Sequence, residues 1–245
     1  VRNYIMSSMS VDCADINLDG YNDYFVAYML SRRMSLRKTQ RANVLSPDIQ
    51  LPISQLSYQP EFPRNTLQLG RGDGSYVEIA QLAGLDASEW TWGSRFLDVD
   101  LDGYQDLILT TGNEADVLDA DMLRVVAQSP TTRDAHIRNM MNFPRLESQN
   151  LIFHNNGDLT FTDRSVAYGF GQESISHGMA AADLDNDGDL DLVINNLNEP
   201  AYIFKNIGDA NRVSVRLRGI SPNTHAVGSM VELKSALGVQ RCDVI

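Results

Sequence analysis

The chain has 245 residues, 43% of them hydrophobic, enough to bury a substantial core as one large domain or two small ones. Its 32 acidic residues outnumber 20 basic ones, for a net charge of -12, which argues against a grip on nucleic acid or anionic lipid and favours a cation as partner. No apolar run approaches the roughly 18 residues that cross a bilayer, and no charged-then-apolar leader is present, so we expect neither a membrane span nor a signal peptide in this segment.

The sequence opens on Val1 and stops at Ile245 inside a strand-like pattern, which leads us to expect a piece of a longer or processed chain. Cys13 and Cys242 are too few for a disulfide framework or a cysteine zinc site; a single bond between them is the alternative to the two buried thiols we expect.

In chain order, the first patterned segment is a loop with oxygen-bearing side chains at Asp15, Asn17, Asp19 and Asp23, with Gly20 and Tyr21 between the last two. It runs straight into an apolar segment, Tyr24 to Met29, which predicts a buried strand. An insert from Ser31 to Arg64 follows. Arg32, Arg33, Arg37, Lys38 and Arg41 give it a helix with a solvated basic face, and Ser46 to Pro63 an irregular stretch. Then come a strand at Thr66 to Leu69, a turn at Arg71-Gly72-Asp73-Gly74 and an alternating strand at Tyr76 to Ile79, the pattern of a hairpin.

The second copy opens with Asp98, Asp100, Asp102, Gly103, Tyr104 and Asp106 and feeds a strand at Leu107 to Leu109. Its insert, Gly112 to Arg145, lies at the same place and also ends in Phe-Pro-Arg. Acids at Asp116, Asp119 and Asp121 precede Leu118, Met122, Val125 and Val126, spaced like one helix face, and Ile137, Met140 and Met141 predict a second short helix after Pro130. A strand at Leu151 to His154, a turn at Asn156-Gly157-Asp158 and a strand at Leu159 to Thr162 close the copy. The third copy has Asp183, Asp185, Asp187, Gly188, Asp189 and Asp191, then strands at Leu192 to Ile194 and Ala201 to Lys205.

These copies are an internal repeat. A shift of 85 lays Asn65 on Asn150, Gly72 and Asp73 on Gly157 and Asp158, Gly84 on Gly169, Gly93 on Gly178 and Asp98 on Asp183, and a shift of 83 lays the first loop on the second. Small antiparallel sheets repeating in this way build a β-propeller, whose blades usually take about 40 to 50 residues; the two inserts account for the longer period. The fold class expected is therefore all-β: a partial propeller over 1–210 with helical and loop inserts at 31–64 and 112–145, and the start of a small β domain over 211–245.

Each loop places oxygen ligands at positions 1, 3, 5 and 9, a glycine at position 6 for the sharp turn, and at position 7 a residue whose carbonyl can join them. That is the chemistry Ca²⁺ prefers, with Mg²⁺ a poorer fit because it demands a tighter octahedron. An EF-hand would need flanking helices and a carboxylate at position 12, where strands stand instead. So many carboxylates in three tight loops would repel one another without a cation. We expect about three structural Ca²⁺ ions, bringing the formal charge from -12 to -6, with Asp15, Asp98 and Asp183 as first ligands and Asp23, Asp106 and Asp191 closing the shells.

The loop-strand units resemble FG-GAP or VCBS repeats, as in integrin α-subunit heads and many bacterial surface proteins. The stretch from Arg212 to Gly219, through Asn223, Gly228, Val231 and Gln240, resembles the opening of an ASPIC/UnbV domain. Together they resemble the cartilage-acidic-protein-like FG-GAP/ASPIC proteins of bacteria. The resemblance implies Ca²⁺ loops on the fifteen positions named, secretion or residence at the cell surface or in the periplasm, and a binding or adhesive role.

Other features have simpler readings. Arg71-Gly72-Asp73 spells an integrin-binding tripeptide, but its glycine and aspartate are explained by hairpin geometry. Trp90, Trp92, Phe96 and Tyr104 suit core packing better than a sugar platform. The histidines, His136, His154, His177 and His225, fall in no metal-pair spacing, and only His177 sits near a loop. No nucleophile elbow, phosphate loop or His-Glu-x-x-His helix occurs. The expected function is a non-enzymatic, calcium-stabilised extracellular binding or adhesion module for a protein or glycan. The alternatives are a polysaccharide-acting enzyme or its carbohydrate-binding module, and an assembly scaffold docking a partner through its inserts.

Overall fold

A computed structural model of the chain describes residues 4–5, 7–40, 61–235 and 238–244. The first copy holds β1 (Tyr4–Ile5), β2 (Ser10–Ala14), β3 (Asp23–Ala27), α1 (Met34–Thr39), β4 (Glu61–Phe62), β5 (Thr66–Gly70), β6 (Tyr76–Glu78) and α2 (Ala80–Ala83). The second holds β7 (Thr91–Leu97), β8 (Asp106–Thr111), α3 (Ala120–Gln128), α4 (Arg133–Met141), β9 (Ser148–Gln149), β10 (Leu151–Asn155) and β11 (Phe161–Asp163). The third holds β12 (Glu173–Ser174), β13 (Ser176–Ala182), β14 (Asp191–Asn196) and β15 (Glu199–Phe204), and the chain then reaches a hairpin of β16 (Met230–Ser235) and β17 (Gly238–Asp243).

The main sheets are antiparallel: β2-β3-β5-β6, β7-β8-β10-β11 and the three-stranded β13-β14-β15. The middle sheet is buried on both faces. Leu107, Leu109, Leu151 and Phe153 pack with Phe25 and Leu67 of the first sheet, while Ile108 and Ile152 pack with Leu192 and Ile194 of the third. This double burial is why the centre of β8, Leu107 to Leu109, is an uninterrupted apolar run, and every residue of the strand is buried. Leading strands are stitched across sheets: Ser10 meets Ser94 at 2.7 Å, and the Phe96 N–H donates to Asp12 Oδ2 at 2.6 Å. The described residues are thus mostly strands in antiparallel sheets, consistent with an all-β fold, with one short parallel pair, β1 and β4; among them the sheets do not close into a ring.

Several boundaries differ from the sequence expectation. The strand expected over Tyr24 to Met29 ends at Ala27, because the Tyr28 N–H turns to the buried Asn65 Oδ1 at 2.7 Å. The strand expected at Leu159 starts at Phe161, because Leu159 (φ +69°) belongs to the turn. Short α2, closed by Gly84 in the left-handed conformation, had no counterpart in the reading. The two helices of the second insert are present, each with an N-cap from Asp119 or Thr132. The first insert's helix is α1, while Arg41 and the stretch 46–60 lie outside the described residues. Residues 205–229 form neither helix nor strand. Cys13 is exposed, contrary to the buried thiol expected, because it alternates outward along β2; the side chain of Cys242 lies outside the description.

Candidate metal centre

Each aspartate loop bridges a leading strand and the next: 15–23 between β2 and β3, 98–106 between β7 and β8, 183–191 between β13 and β14. All three turn alike. Position 4 is left-handed (Leu18 φ +59°, Leu101 φ +60°, Asn186 φ +63°), and position 6 is a positive-φ glycine (Gly20, Gly103, Gly188) whose N–H donates to the first aspartate. Those glycine bonds measure 2.7, 3.0 and 3.2 Å to Asp15, Asp98 and Asp183. Positions 3 and 5 (Asn17 and Asp19, Asp100 and Asp102, Asp185 and Asp187) stay at least partly exposed around the same turn. Two groups of carboxylates able to converge on one ion result, Asp98-Asp100-Asp102 and Asp183-Asp185-Asp191, and Asp98 Oδ1 is buried without a hydrogen-bond partner.

Position 9 does more than the sequence suggested. Asp23, Asp106 and Asp191 are almost fully buried, and each clamps two backbone N–H groups. One comes from position 2 of its own loop (Ile16, Val99, Leu184) at 2.9 to 3.2 Å, the other from the far end of the third strand or just past it (Gly70, Asn155, Asn206) at 2.7 to 2.9 Å. Each carboxylate oxygen keeps a lone pair that a cation can use. Asn155 and Asn206 then reach onward: their amides donate to the Ile16 and Val99 carbonyls of the neighbouring loop, at 2.9 and 2.8 Å.

Position 7 divides the loops. Tyr21 and Tyr104 lie over the hairpin glycines Gly72 and Gly157, where a Cβ on Gly157 would meet the Tyr104 ring at 3.0 Å. Asp189 is buried and pairs with Arg212 Nη1 at 2.9 Å. The residue opposite position 9 on the partner strand also differs: Leu69, His154 or Lys205, as the strand registers place them. Lys205 pairs with Asp185 and lies 3.6 Å from Asp187. His154 Nδ1 lies 3.2 Å from Asp106 Oδ1 and 3.3 Å from Asp100 Oδ2. Sequence reasoning missed His154 and pointed instead to His177, which packs edge-on to Trp92 at 4.9 Å. Antiparallel register was the signal that finds it, since the residue after Phe153 must face the one before Leu107.

Burial dominates the electrostatics. It pushes the carboxyls of Asp23 and Asp98 up to about 6 and Asp106 up to about 7, against the backbone N–H groups that favour the ionised form. Burial and the charge of Asp100, to which the Tyr168 hydroxyl donates at 3.1 Å, push that phenol up to about 12.

The other candidates resolve plainly. Asp73 Oδ1 accepts from the Ser75 N–H at 2.8 Å, a turn contact within the exposed Arg71-Gly72-Asp73. Trp90 and Phe96 are buried, and Trp92 donates to the Gly112 carbonyl at 2.6 Å. Arg32 and Arg33 face Asp163 (2.6 Å), Glu89 (3.8 Å) and Glu173 (3.7 Å), so the basic run balances neighbouring acids. No helix among the described residues is long and apolar enough to cross a membrane.

An FG-GAP-like repeat matches residues 143–194, a span that takes in the middle sheet's last two strands and the whole third loop. A search of the curated proteins finds no match.

Proposed function

We propose that this chain is a calcium-stabilised, non-enzymatic binding module: a run of FG-GAP/VCBS-type propeller blades followed by the opening of an ASPIC/UnbV-type domain, acting at the cell surface, in the periplasm or outside the cell. The observation that carries the reading is the threefold recurrence of one loop geometry at the entrance to β3, β8 and β14, with carboxylates able to converge on one ion in the second and third loops. Calcium there is structural, since each ion would hold together the loop that its position-9 aspartate already ties to a neighbouring strand.

Binding belongs at the other end. The inserts leave the far ends of β3 and β8, roughly 20 Å from the loops at about 3.3 Å per residue. A polar cavity of about 400 Å³ lies there between Arg32, Arg33, Glu89, Gln149 and Glu173. Val125, Ile137, Met140 and Met141 on α3 and α4 are exposed, which favours a protein partner over a glycan.

A thermal melt in excess Ca²⁺ and again in chelator tests the calcium reading. A ligand at a hundred times its Kd adds about 2.7 kcal/mol per site, or roughly 5 to 10 °C for a chain of this size. A melting temperature indifferent to calcium overturns it. Removal of 112–141 with the calcium shift intact and a co-purifying partner lost would tie binding to the insert.

A further inference from the structure

The three loops differ most in what stands opposite position 9, and in the second loop that residue brings nitrogen. Asp100, Asp106 and His154 place one ligand atom each within 4.8 Å of one another. Two of the separations are 3.2 and 3.3 Å. Ligands about 2.1 Å from a single ion stand about 3.0 Å apart at octahedral right angles and about 3.4 Å apart at tetrahedral angles. The spacing is that of donors around one small ion.

A second observation bears on the ring nitrogen itself. His154 Nδ1 is buried and makes no hydrogen bond, although two carboxylate oxygens lie within reach of it. A histidine serving as a hydrogen-bonded partner would aim Nδ1–H at one of those oxygens, and here neither bond is made. The surrounding groups orient the oxygens as outer partners of a metal do. The Tyr168 hydroxyl donates to Asp100 Oδ2 at 3.1 Å, and the Asn155 N–H donates to Asp106 Oδ1 at 2.8 Å.

We propose that the second loop holds a transition-metal ion of the zinc class, ligated by Asp100, Asp106 and His154 Nδ1. Imidazole suits such ions, whereas calcium takes oxygen. The first loop, with Leu69 at the equivalent place, offers only oxygen. The proposal rests on the second loop being a cation site; there this ion takes the place of calcium, and the proposal is independent of calcium at the other two loops.

The test is calorimetric titration of Zn²⁺ into the chelator-stripped full chain, with and without millimolar Ca²⁺, on the wild type, His154→Leu and Asp19→Asn. Leucine is the residue the first copy carries at that position; circular dichroism checks the fold, and His154→Gln replaces the leucine variant if it fails to fold. We expect one Zn²⁺ per chain that Ca²⁺ does not displace, an affinity at least tenfold weaker in His154→Leu, and no change in Asp19→Asn. Cobalt substituted for zinc should show a visible spectrum that the histidine variant loses. Equal zinc affinity in wild type and His154→Leu overturns the proposal, as does stoichiometric displacement by Ca²⁺. Zinc bound once with no calcium bound anywhere would overturn the calcium reading while upholding this one; calcium bound at all three loops with no zinc would do the reverse.

Discussion

The backbone N–H of Gly70 donates to Asp23 Oδ1 at 2.7 Å across 47 residues of chain. The same bond recurs from Asn155 to Asp106 and from Asn206 to Asp191. In every copy the last acid of the loop thus fastens the loop to the end of its sheet's third strand, 47 and 49 residues on in the first two copies and 15 in the third.

Replacing that acid should therefore cost stability even without metal. Asp23→Ala strands two buried N–H donors and should lower the unfolding free energy by roughly 2 to 5 kcal/mol. Urea denaturation in chelator measures it. If the loss appears only in calcium, the residue is a ligand and no clamp.

Metal-free stability should fall as pH rises. Burial holds the folded carboxyls of Asp23, Asp98 and Asp106 at about 6, 6 and 7, above the unfolded value near 4. The folded state therefore binds more protons between those limits, so the stability linked to these groups is full below about pH 4 and is lost as pH climbs through 6 and 7. Calcium needs the ionised forms, so the gap between melts with and without calcium should widen from pH 5 to pH 8. A metal-free melting temperature that rises over this range would contradict the burial argument.

Lys205 competes with a cation in the third loop through Asp185 and Asp187. Lys205→Leu should tighten calcium there by about tenfold by removing a like charge. Calorimetry on the variant decides; unchanged or weaker binding would mean that the ammonium leaves the ion's place free.

Gly112→Ala should be among the more damaging single methyl additions. Its φ is +111°, and a Cβ would lie 2.5 Å from the Ser174 carbonyl oxygen. We expect a loss above about 2 kcal/mol in denaturant titration, whereas Gly74→Ala, whose Cβ would meet nothing within 4 Å, should pay for its φ alone.

What the sequence made legible follows its local patterning. The loops, the strand after each one, the hairpin turns and both helices of the second insert come from spacing over a few residues. Clamping by Asp106 and the approach of His154 depend on which strand residue arrives opposite the loop's exit. A long insert separates the two in the first and second copies and none does in the third, so no single offset reveals them. The exposure of Cys13 was hidden too, because composition gives a thiol's preference for burial, while the alternation of β2 set its direction.

One strand's length parts the acidic loops from the inserts, and that separation makes the molecule divisible in use. The acidic end fixes how sheets sit on one another and leaves little room for change. The insert end hangs from strand termini already secured elsewhere, so its sequence can be exchanged with little effect on the frame. A segment grafted between Asn113 and Leu146, which pair across the base of the second insert, would inherit a mount that its own sequence has no part in making.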